Sequence, residues 1–132
     1  MEEYKNKKCL VTGGGGLIGR QVIHLLVASG ANTISVGLDN PEGYSKFIEC
    51  DLTHKAYCLE LIKDFDYVFH LAGIKASPDI TNKRPYTMSI PALQVNTNVL
   101  DACKVNNIQN VLFTSSIGAY AETEILKEEI AY

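Results

Sequence analysis

The stretch VTGGGGLIG at residues 11–19 decides the fold, because five of its nine residues are glycine and it joins two apolar segments. The segment before it predicts a strand, and the segment after it predicts a helix. Glycines 13, 16 and 19 give the spacing GxxGxxG at this junction. We expect Gly13 to permit a tight turn, Gly16 to let a pyrophosphate approach the backbone and Gly19 to let the helix pack closely on the sheet.

The same loop leaves an alternative open, which is a glycine-rich turn that holds no ligand. Its position between a strand and a helix favours phosphate binding, because a helix N-terminus offers free N–H groups and a positive dipole end to an anion. No Gly-Lys-Ser/Thr follows the glycines, which excludes a P-loop. Gly14 and Gly15 are interpreted as permissive turn residues.

Short apolar runs alternate with helical patterns along the chain, which is typical of βαβ units around a parallel sheet. The predicted strands cover residues 8–12, 33–38, 46–50, 67–72 and 110–114. The predicted helices cover residues 17–29, 52–63 and 92–106, and a loop is expected over 74–86. Right-handed crossovers then predict an α/β, doubly wound, three-layer αβα sheet in the strand order 3-2-1-4-5. Ligands bind such a sheet outside the carboxyl ends of its strands, at the switch between strands 1 and 4.

Individual residues support these boundaries. Thr53 is the expected N-cap of the second helix, Pro91 fits the first turn of the third, and Gly30 follows the first as a C-cap glycine. Cys9 and Cys103 lie in apolar segments and are expected in the core. The stripe expected to bury the first helix consists of Leu17, Ile18, Val22, Leu25 and Leu26.

The bulk composition bounds the class of protein. A length of 132 residues suits one domain, which we expect over residues 1–132. The formal net charge of -3 argues against nucleic-acid binding, which needs a clustered positive field. No run of 18 apolar residues predicts a membrane span, and the polar N-terminus MEEYKNKK lacks the apolar core of a signal peptide. Four scattered cysteines without a CxxC pair favour a reduced, cytoplasmic protein without a metal site.

An acidic residue after strand 2 is expected to bind the adenosine ribose hydroxyls of a dinucleotide. Asp39, 20 residues beyond Gly19, is the candidate, although Gly37 stands at the usual register, so Asp39 requires a short bulge or a longer strand. A carboxylate there favours NAD over NADP, because it repels a 2′-phosphate. The alternative is a turn residue in the sequence Asp-Asn-Pro. Arg20 is the nearby cation that argues for NADP.

With these motifs in hand, the chain resembles the extended short-chain dehydrogenase/reductase family, and most closely its NAD-dependent nucleotide-sugar epimerase/dehydratase branch. The matching motifs are TGGGGLIG at 12–19, Asp51-Leu52 after strand 3, HLAG at 70–73 and FTSSIGAY at 113–120. They follow the family order and spacing over essentially the whole chain. The resemblance implies a Rossmann-type fold that binds NAD.

The resemblance also implies roles for single residues. Asp51 would accept a hydrogen bond from the adenine amine, and a carboxylate favoured at a helix N-terminus is a compatible alternative. Lys75 matches a lysine that reaches the cofactor in some sugar epimerases, and a solvated loop charge is its alternative. His70 is interpreted as a strand residue with a local hydrogen bond rather than a catalyst. The remaining cofactor contacts implied are Gly13, Gly16, Leu17, Ile18, Gly19, Leu52, Leu71, Ala72 and Gly73.

Catalytic roles follow from the same resemblance. Ser116, four residues before Tyr120, would hydrogen-bond the substrate hydroxyl that is oxidised, and Tyr120 would line the substrate pocket. The alternative for Ser116 is a serine that caps the next turn. The family's base is a tyrosine in YxxxK downstream of the serine, and no such motif follows Ser116 in this sequence. We therefore expect the N-terminal portion of an enzyme, truncated before its substrate-binding portion, which binds cofactor without turnover by itself.

The last predicted helix departs from the family pattern. Ala92 stands where many relatives begin this helix with asparagine, and Asn96, one turn later on the same face, is the expected substitute. Relatives commonly dimerise through this helix, so a homodimer through residues 92–106 is expected. Its apolar residues are Leu93, Val95, Val99, Leu100 and Val105.

Three functions remain open at this point. The leading one is the NAD-binding portion of a nucleotide-sugar epimerase or dehydratase that acts by transient hydride transfer from a sugar hydroxyl. The second is a non-catalytic, dinucleotide-sensing regulatory protein of the same fold, suggested by the missing YxxxK. The third is a reductase of the same family that acts on steroid or flavonoid-like alcohols.

Overall fold

A computed structural model describes residues 2–40, 44–74 and 77–115, and their strands form one five-stranded parallel sheet. The strands are β1 (Lys8–Thr12), β2 (Asn32–Gly37), β3 (Phe47–Glu49), β4 (Tyr67–His70) and β5 (Asn110–Phe113). The helices are α1 (Leu17–Ala28), α2 (Lys55–Leu61), α3 (Pro78–Lys83) and α4 (Tyr86–Val105), and a 3₁₀ turn covers Glu2–Tyr4. The strand order β3-β2-β1-β4-β5 confirms the predicted topology.

The helices lie on both faces of the sheet, which confirms the three-layer arrangement. Alternate residues of β1 point to opposite faces. Cys9 and Val11 pack with Ile23 and Leu26 of α1, whereas Leu10 belongs to a larger core with α2 and α4. The members of that larger core include Val36, Cys58, Ile62, Val68, Val95, Val99, Ala102 and Cys103. Cys9 and Cys103 are thus core residues, as expected.

The first helix is buried through a stripe that overlaps the expected one only in part. Its buried residues are Gly19, Ile23 and Leu26, while Leu17 is 82% exposed and Ile18 is 61% exposed. Leu26 and the partly buried Val22 confirm part of the expected stripe. Leu17 and Ile18 were placed wrongly, because they lie in the first turn and line a cleft at the carboxyl ends of the strands. Gly19 packs closely against the glycine loop at the same end of the helix.

The C-terminus of α1 confirms the predicted role of Gly30. Ser29 is the C-cap, and Gly30 follows with φ +80°. The N–H of Gly30 donates to the carbonyl of Val27 at 3.0 Å, and that of Ala31 donates to Leu26 at 3.0 Å. These two bonds form a Schellman motif, which satisfies carbonyls that the helix leaves free.

The region expected as a loop over 74–86 contains α3. The sequence Ser-Pro-Asp supplies its start, since the hydroxyl of Ser77 accepts from the N–H of Ile80 at 3.4 Å and Pro78 follows the cap. Asp79 and Lys83 form an (i, i+4) ion pair at 2.7 Å. Local capping therefore outweighs the turn-forming composition of this segment.

The fourth helix begins earlier than predicted. Its N-cap is Pro85, and Pro91 lies inside the helix rather than in its first turn. Two prolines stand six residues apart in the sequence, and the earlier one marks the helix start. The second helix also differs, because it begins after His54 without a side-chain cap from Thr53. Its expected span of 52–63 is shortened to Lys55–Leu61.

Candidate functional site

A cleft of about 560 Å³ opens at the carboxyl ends of the central strands, between the glycine loop and the segments that follow β2, β3 and β4. This is the edge at which parallel sheets bind ligands. Six further residues line it besides the predicted ones: Gly15, Gly37, Leu38, Cys50, Ile74 and Val95. The predicted site residues that the structure brings together here are Gly13, Gly16, Leu17, Ile18, Gly19, Asp39, Asp51, Leu52, Leu71, Ala72 and Gly73.

Gly13 makes the tight turn that ends β1. Its φ of +70° lies in the left-handed region, which L side chains rarely adopt. A Cβ at this position would lie 2.7 Å from the Cα of Ala72 and 2.8 Å from its backbone nitrogen. The absence of a side chain at Gly13 therefore lets the loop pack directly on the segment that follows β4.

The neighbouring glycines are more constrained than expected. A Cβ on Gly14 would overlap the hydroxyl of Ser35 and lie 2.5 Å from the Cδ1 of Ile23. A Cβ on Gly15 would lie 2.6 Å from the carbonyl oxygen of Asp39. The interpretation of Gly15 as merely permissive is therefore wrong, because the backbone of Asp39 excludes a side chain there. At Gly14 a side chain requires that the side chains of Ser35 and Ile23 shift.

The N-terminus of α1 faces the cleft with an open approach. Gly16 is its N-cap, no side chain caps the helix, and its first turn carries no acidic residue. A Cβ on Gly16 would meet one atom within 4 Å, the carbonyl oxygen of Gly13 at 3.2 Å. Since the first N–H groups of a helix have no intrahelical acceptor, this end can donate to an anion. The donor set and the open approach fit a pyrophosphate.

Asp39 reaches the cleft through a bend rather than through the expected bulge or longer strand. The pairing of β2 with β1 runs without interruption from Asn32 to Val36, and β2 ends at Gly37. The chain then bends, which brings Asp39 against Gly15. On the other side of this loop, the Nε of Arg20 donates to the carbonyl of Gly15 at 3.0 Å.

Asp51 lies at the corner between β3 and α2. Its Oδ1 accepts from the N–H of Thr53 at 2.9 Å and from the Thr53 hydroxyl at 2.8 Å. These hydrogen bonds hold the pKa of the Asp51 carboxyl below its usual value, so the group is ionised at neutral pH. The Oδ2 atom lies 3.8 Å from the Nε2 of His54, and the side chain is 46% exposed. Leu52 is buried, so its side chain faces the core.

The floor of the cleft depends on a buried hydroxyl. The Oγ1 of Thr12 accepts from the N–H of Leu71 at 3.2 Å and from the N–H of Ala72 at 3.1 Å. It also lies 2.7 Å from the Nδ1 of His70. Because both amides donate to this oxygen, its own hydrogen is directed to Nδ1. Thr12 therefore ties β1 to the HLAG segment, and sequence reasoning assigned it no role.

His70 is fully buried and makes local hydrogen bonds, which confirms its interpretation as a strand residue. Its Nε2 lies 3.0 Å from the Oδ1 of Asn96, to which it donates in the tautomer that Thr12 imposes. Burial lowers the pKa of His70, so the imidazole is neutral at pH 7. Asn96 therefore contacts the HLAG segment through His70.

Three of the predicted site residues, Lys75, Ser116 and Tyr120, lie outside the described residues. The glycine loop is thus described without Ser116. Within residues 2–40, 44–74 and 77–115, no group of three histidine, cysteine or acidic side chains is arranged to hold a metal ion. Across the same ranges, every helix is too short or too polar to cross a membrane.

The chain that carries this cleft matches a known family of sequences. The sequence profile of the NAD dependent epimerase/dehydratase family matches residues 9–132. The chain belongs to this family. It spans between about a fifth and just over a third of the length of the curated relatives it matches.

Members and solved structures of the epimerase/dehydratase family extend this result. The sterol-4-alpha-carboxylate 3-dehydrogenase (decarboxylating) of Homo sapiens is 28% identical over 139 residues, which cover 100% of this chain and 36% of the relative. A UDP-N-acetylglucosamine 4-epimerase from Methanobrevibacter ruminantium M1, solved with UDP-N-acetylmuramic acid, is 31% identical with a TM-score of 0.75. That match covers 94% of this chain and 43% of the epimerase chain.

A further solved structure includes the dinucleotide. The enzyme WbmH of Bordetella bronchiseptica, in complex with NAD+, is 25% identical to this member of the epimerase/dehydratase family, with a TM-score of 0.65. The match covers 80% of this chain and 38% of the WbmH chain. These likenesses agree with the parallel sheet and the strand order found here.

Proposed function

We propose that this chain binds NAD in the cleft at the carboxyl ends of β1, β2 and β4. The observation that carries the proposal is the convergence of eleven predicted contact residues on one cleft, with the uncapped N-terminus of α1 at its edge. Family membership supports the same ligand. The helix N-terminus and the open face of Gly16 would receive the pyrophosphate.

Two carboxylates would orient the adenosine half. Asp39 would accept hydrogen bonds from the ribose hydroxyls and disfavour a 2′-phosphate, so we propose that NAD binds more tightly than NADP. Asp51 would accept from the adenine amine through Oδ2, since Oδ1 already accepts from Thr53. Leu71, Ala72 and Gly73 would pass beneath the ribose and pyrophosphate.

The proposed chemistry of the whole protein is reversible oxidation of a sugar hydroxyl, followed by epimerisation, elimination or reduction. NAD would supply the hydride acceptor. Ser116 would hydrogen-bond the reacting hydroxyl, Tyr120 would line the substrate pocket, and Lys75 would reach the cofactor. Because no YxxxK follows Ser116 in these 132 residues, we propose that they bind the dinucleotide without turning over a substrate by themselves.

A nucleotide sugar is the substrate class that we propose for the whole protein. The 31% identical epimerase, solved with a UDP-linked sugar derivative, supports it. A sterol alcohol is the second candidate, since the human sterol-4-alpha-carboxylate 3-dehydrogenase is 28% identical over the entire chain. Both classes present a secondary alcohol from which a hydride can be removed.

We also propose a homodimer through α4. Four of its five large exposed apolar residues recur three, four or seven positions apart, so these four share one helix face, while Val105 lies off this face and Val95 and Val99 pack into the core instead. The exposed face consists of Tyr86, Ile90, Leu93 and Leu100. A cytoplasmic location is proposed from the four cysteines, all of which are free thiols.

Isothermal titration of NAD and of NADP into the chain tests the function. We expect saturable binding of one NAD per chain and at least tenfold weaker binding of NADP, because Asp39 would repel the added phosphate. No binding of either dinucleotide to a folded sample would contradict the proposal. Tighter binding of NADP would contradict the role given to Asp39 alone.

A further inference from the structure

Asn98 of α4 and Asn106, the C-cap of the same helix, clamp the two ends of α2 in the same way. The Nδ2 of Asn98 donates to the carbonyls of Leu52 and Thr53, at 3.1 and 2.8 Å. The Nδ2 of Asn106 donates to the carbonyls of Leu59 and Ile62, at 3.1 and 2.7 Å. Both side chains are partly buried. One clamp therefore holds the segment that leads into α2, and the other holds its end.

The two clamps differ in their distance from the cleft. Leu52 lines the cleft and Thr53 follows it directly, whereas Leu59 and Ile62 are not among its lining residues. The backbone between β3 and α2 has no regular secondary structure at this corner. The carbonyl of Asp51 accepts from the N–H of His54 at 3.2 Å, and that of Leu52 accepts from the Sγ of Cys58 at 3.4 Å as well as from Asn98. Asn98 also donates to the carbonyl of Thr53, so it helps to fix this wall of the cleft.

A chain of hydrogen bonds connects Asn98 to a carboxylate of the cleft. Asn98 donates to the carbonyl of Thr53, and the N–H and hydroxyl of Thr53 both donate to the Oδ1 of Asp51. Because Oδ1 is turned toward Thr53, Oδ2 is the oxygen left for an incoming donor. The orientation of Asp51 therefore depends on where Thr53 is held.

We propose that Asn98 is a positioning residue for the adenine end of the dinucleotide site, acting on Asp51 through Thr53. This inference rests on the proposed NAD binding and deepens it, because it assigns α4 a part in recognising the adenine half. Asparagine is unfavourable in the interior of a helix, since its amide competes for backbone hydrogen bonds. Its presence at the centre of α4 is explained by the two carbonyls that it holds.

The test compares Asn98→Ala with Asn106→Ala, because each removes two hydrogen bonds between the same helices. We expect similar decreases in the midpoint of thermal unfolding for the two variants. We expect Asn98→Ala to weaken the binding of ADP and of NAD about tenfold, as for the loss of one positioned hydrogen bond. Asn106→Ala should leave both dissociation constants within about twofold of the wild type.

The probes are ADP, NAD and nicotinamide mononucleotide, titrated calorimetrically into the full chain. ADP carries the adenine half alone, so Asn98→Ala should weaken the binding of ADP and of NAD by the same factor. Asn98→Ser, which is too short to reach both carbonyls, provides a milder variant if Asn98→Ala does not fold, and about a threefold loss is expected for it.

Three results are decisive. Equal affinities of Asn98→Ala and Asn106→Ala for ADP would overturn the positioning role, as would a loss seen for nicotinamide mononucleotide but not for ADP. Wild-type protein that binds neither ADP nor NAD would instead overturn the proposed function itself. We predict that Asn98→Ala weakens the binding of ADP and NAD. Asn106→Ala should lower the stability by a similar amount without weakening either ligand's binding.

Discussion

Replacing Gly13 and Gly16 separately by alanine should separate folding from dinucleotide binding within one loop. Gly13→Ala places a Cβ at φ +70° and 2.7 Å from the Cα of Ala72. The left-handed conformation costs an alanine about 1–2 kcal/mol, and forcing the overlap costs about 1–3 kcal/mol more. We expect a loss of about 2–5 kcal/mol from the free energy of unfolding, which is a large share of the roughly 5–15 kcal/mol of a typical domain.

Gly16→Ala should weaken NAD binding with little effect on stability. Gly16 has φ -73° and ψ 170°, an extended conformation that alanine adopts without strain. Its Cβ would meet the carbonyl oxygen of Gly13 at 3.2 Å and otherwise face open space. We expect a stability loss of at most about 1 kcal/mol, from weaker N-capping. The methyl group would occupy the approach of the pyrophosphate, and NAD affinity should fall at least tenfold.

Urea denaturation followed by circular dichroism measures the stability of each variant, and isothermal titration at a temperature where both are folded measures NAD affinity. The wild type is the reference for both. A Gly16→Ala variant that binds NAD as tightly as the wild type would refute the pyrophosphate approach over this residue. A Gly13→Ala variant of unchanged stability would refute the packing argument.

Three further predictions concern single side chains. Burial holds the pKa of His70 below its unfolded value near 6.5, so the folded state binds fewer protons than the unfolded state. The free energy of unfolding should therefore decrease as the pH is lowered from about 6.5. His70→Gln should flatten this pH dependence in urea titrations at several pH values, and an unchanged dependence would contradict the prediction. Asp39→Ala should raise the ratio of NADP to NAD affinity at least tenfold in calorimetry, and a constant ratio would contradict its ribose contact. Leu93, which is 62% exposed, should be buried in the proposed dimer. Light scattering should therefore show a dimer for the wild type and a monomer for Leu93→Glu, which places a charge in the interface. A monomeric wild type would refute the interface.

The sheet and its strand order could be predicted from the sequence because few topologies satisfy the alternation of strands and helices. Right-handed crossovers and one glycine-rich junction at β1 leave one common arrangement. The cleft residues could also be grouped in advance, since carboxyl ends of parallel strands meet at one edge. Asp39 lines the cleft, although a bend rather than the expected bulge or longer strand brings it there.

Packing decided what the sequence left ambiguous. The buried face of α1 was predicted only in part, because the apolar periodicity includes Leu17 and Ile18, which line the cleft instead of packing on the sheet. The tight contacts of Gly14 and Gly15 depend on Ser35 and Asp39, which are more than 20 residues away in sequence. Asparagines inside an apolar helix were the available signal for Asn96 and Asn98, but their partners are set by the fold.

The central claim, that the cleft binds a dinucleotide, is tested most directly by mapping NAD onto the protein with backbone amide chemical shifts. Addition of NAD should shift the amides of residues 13–19, 37–39, 51–52 and 71–73, which line the cleft. Amides at the opposite edge of the sheet, such as that of Asp64, should not change. Shifts confined to other surfaces, or no shifts at saturating NAD, would contradict the account.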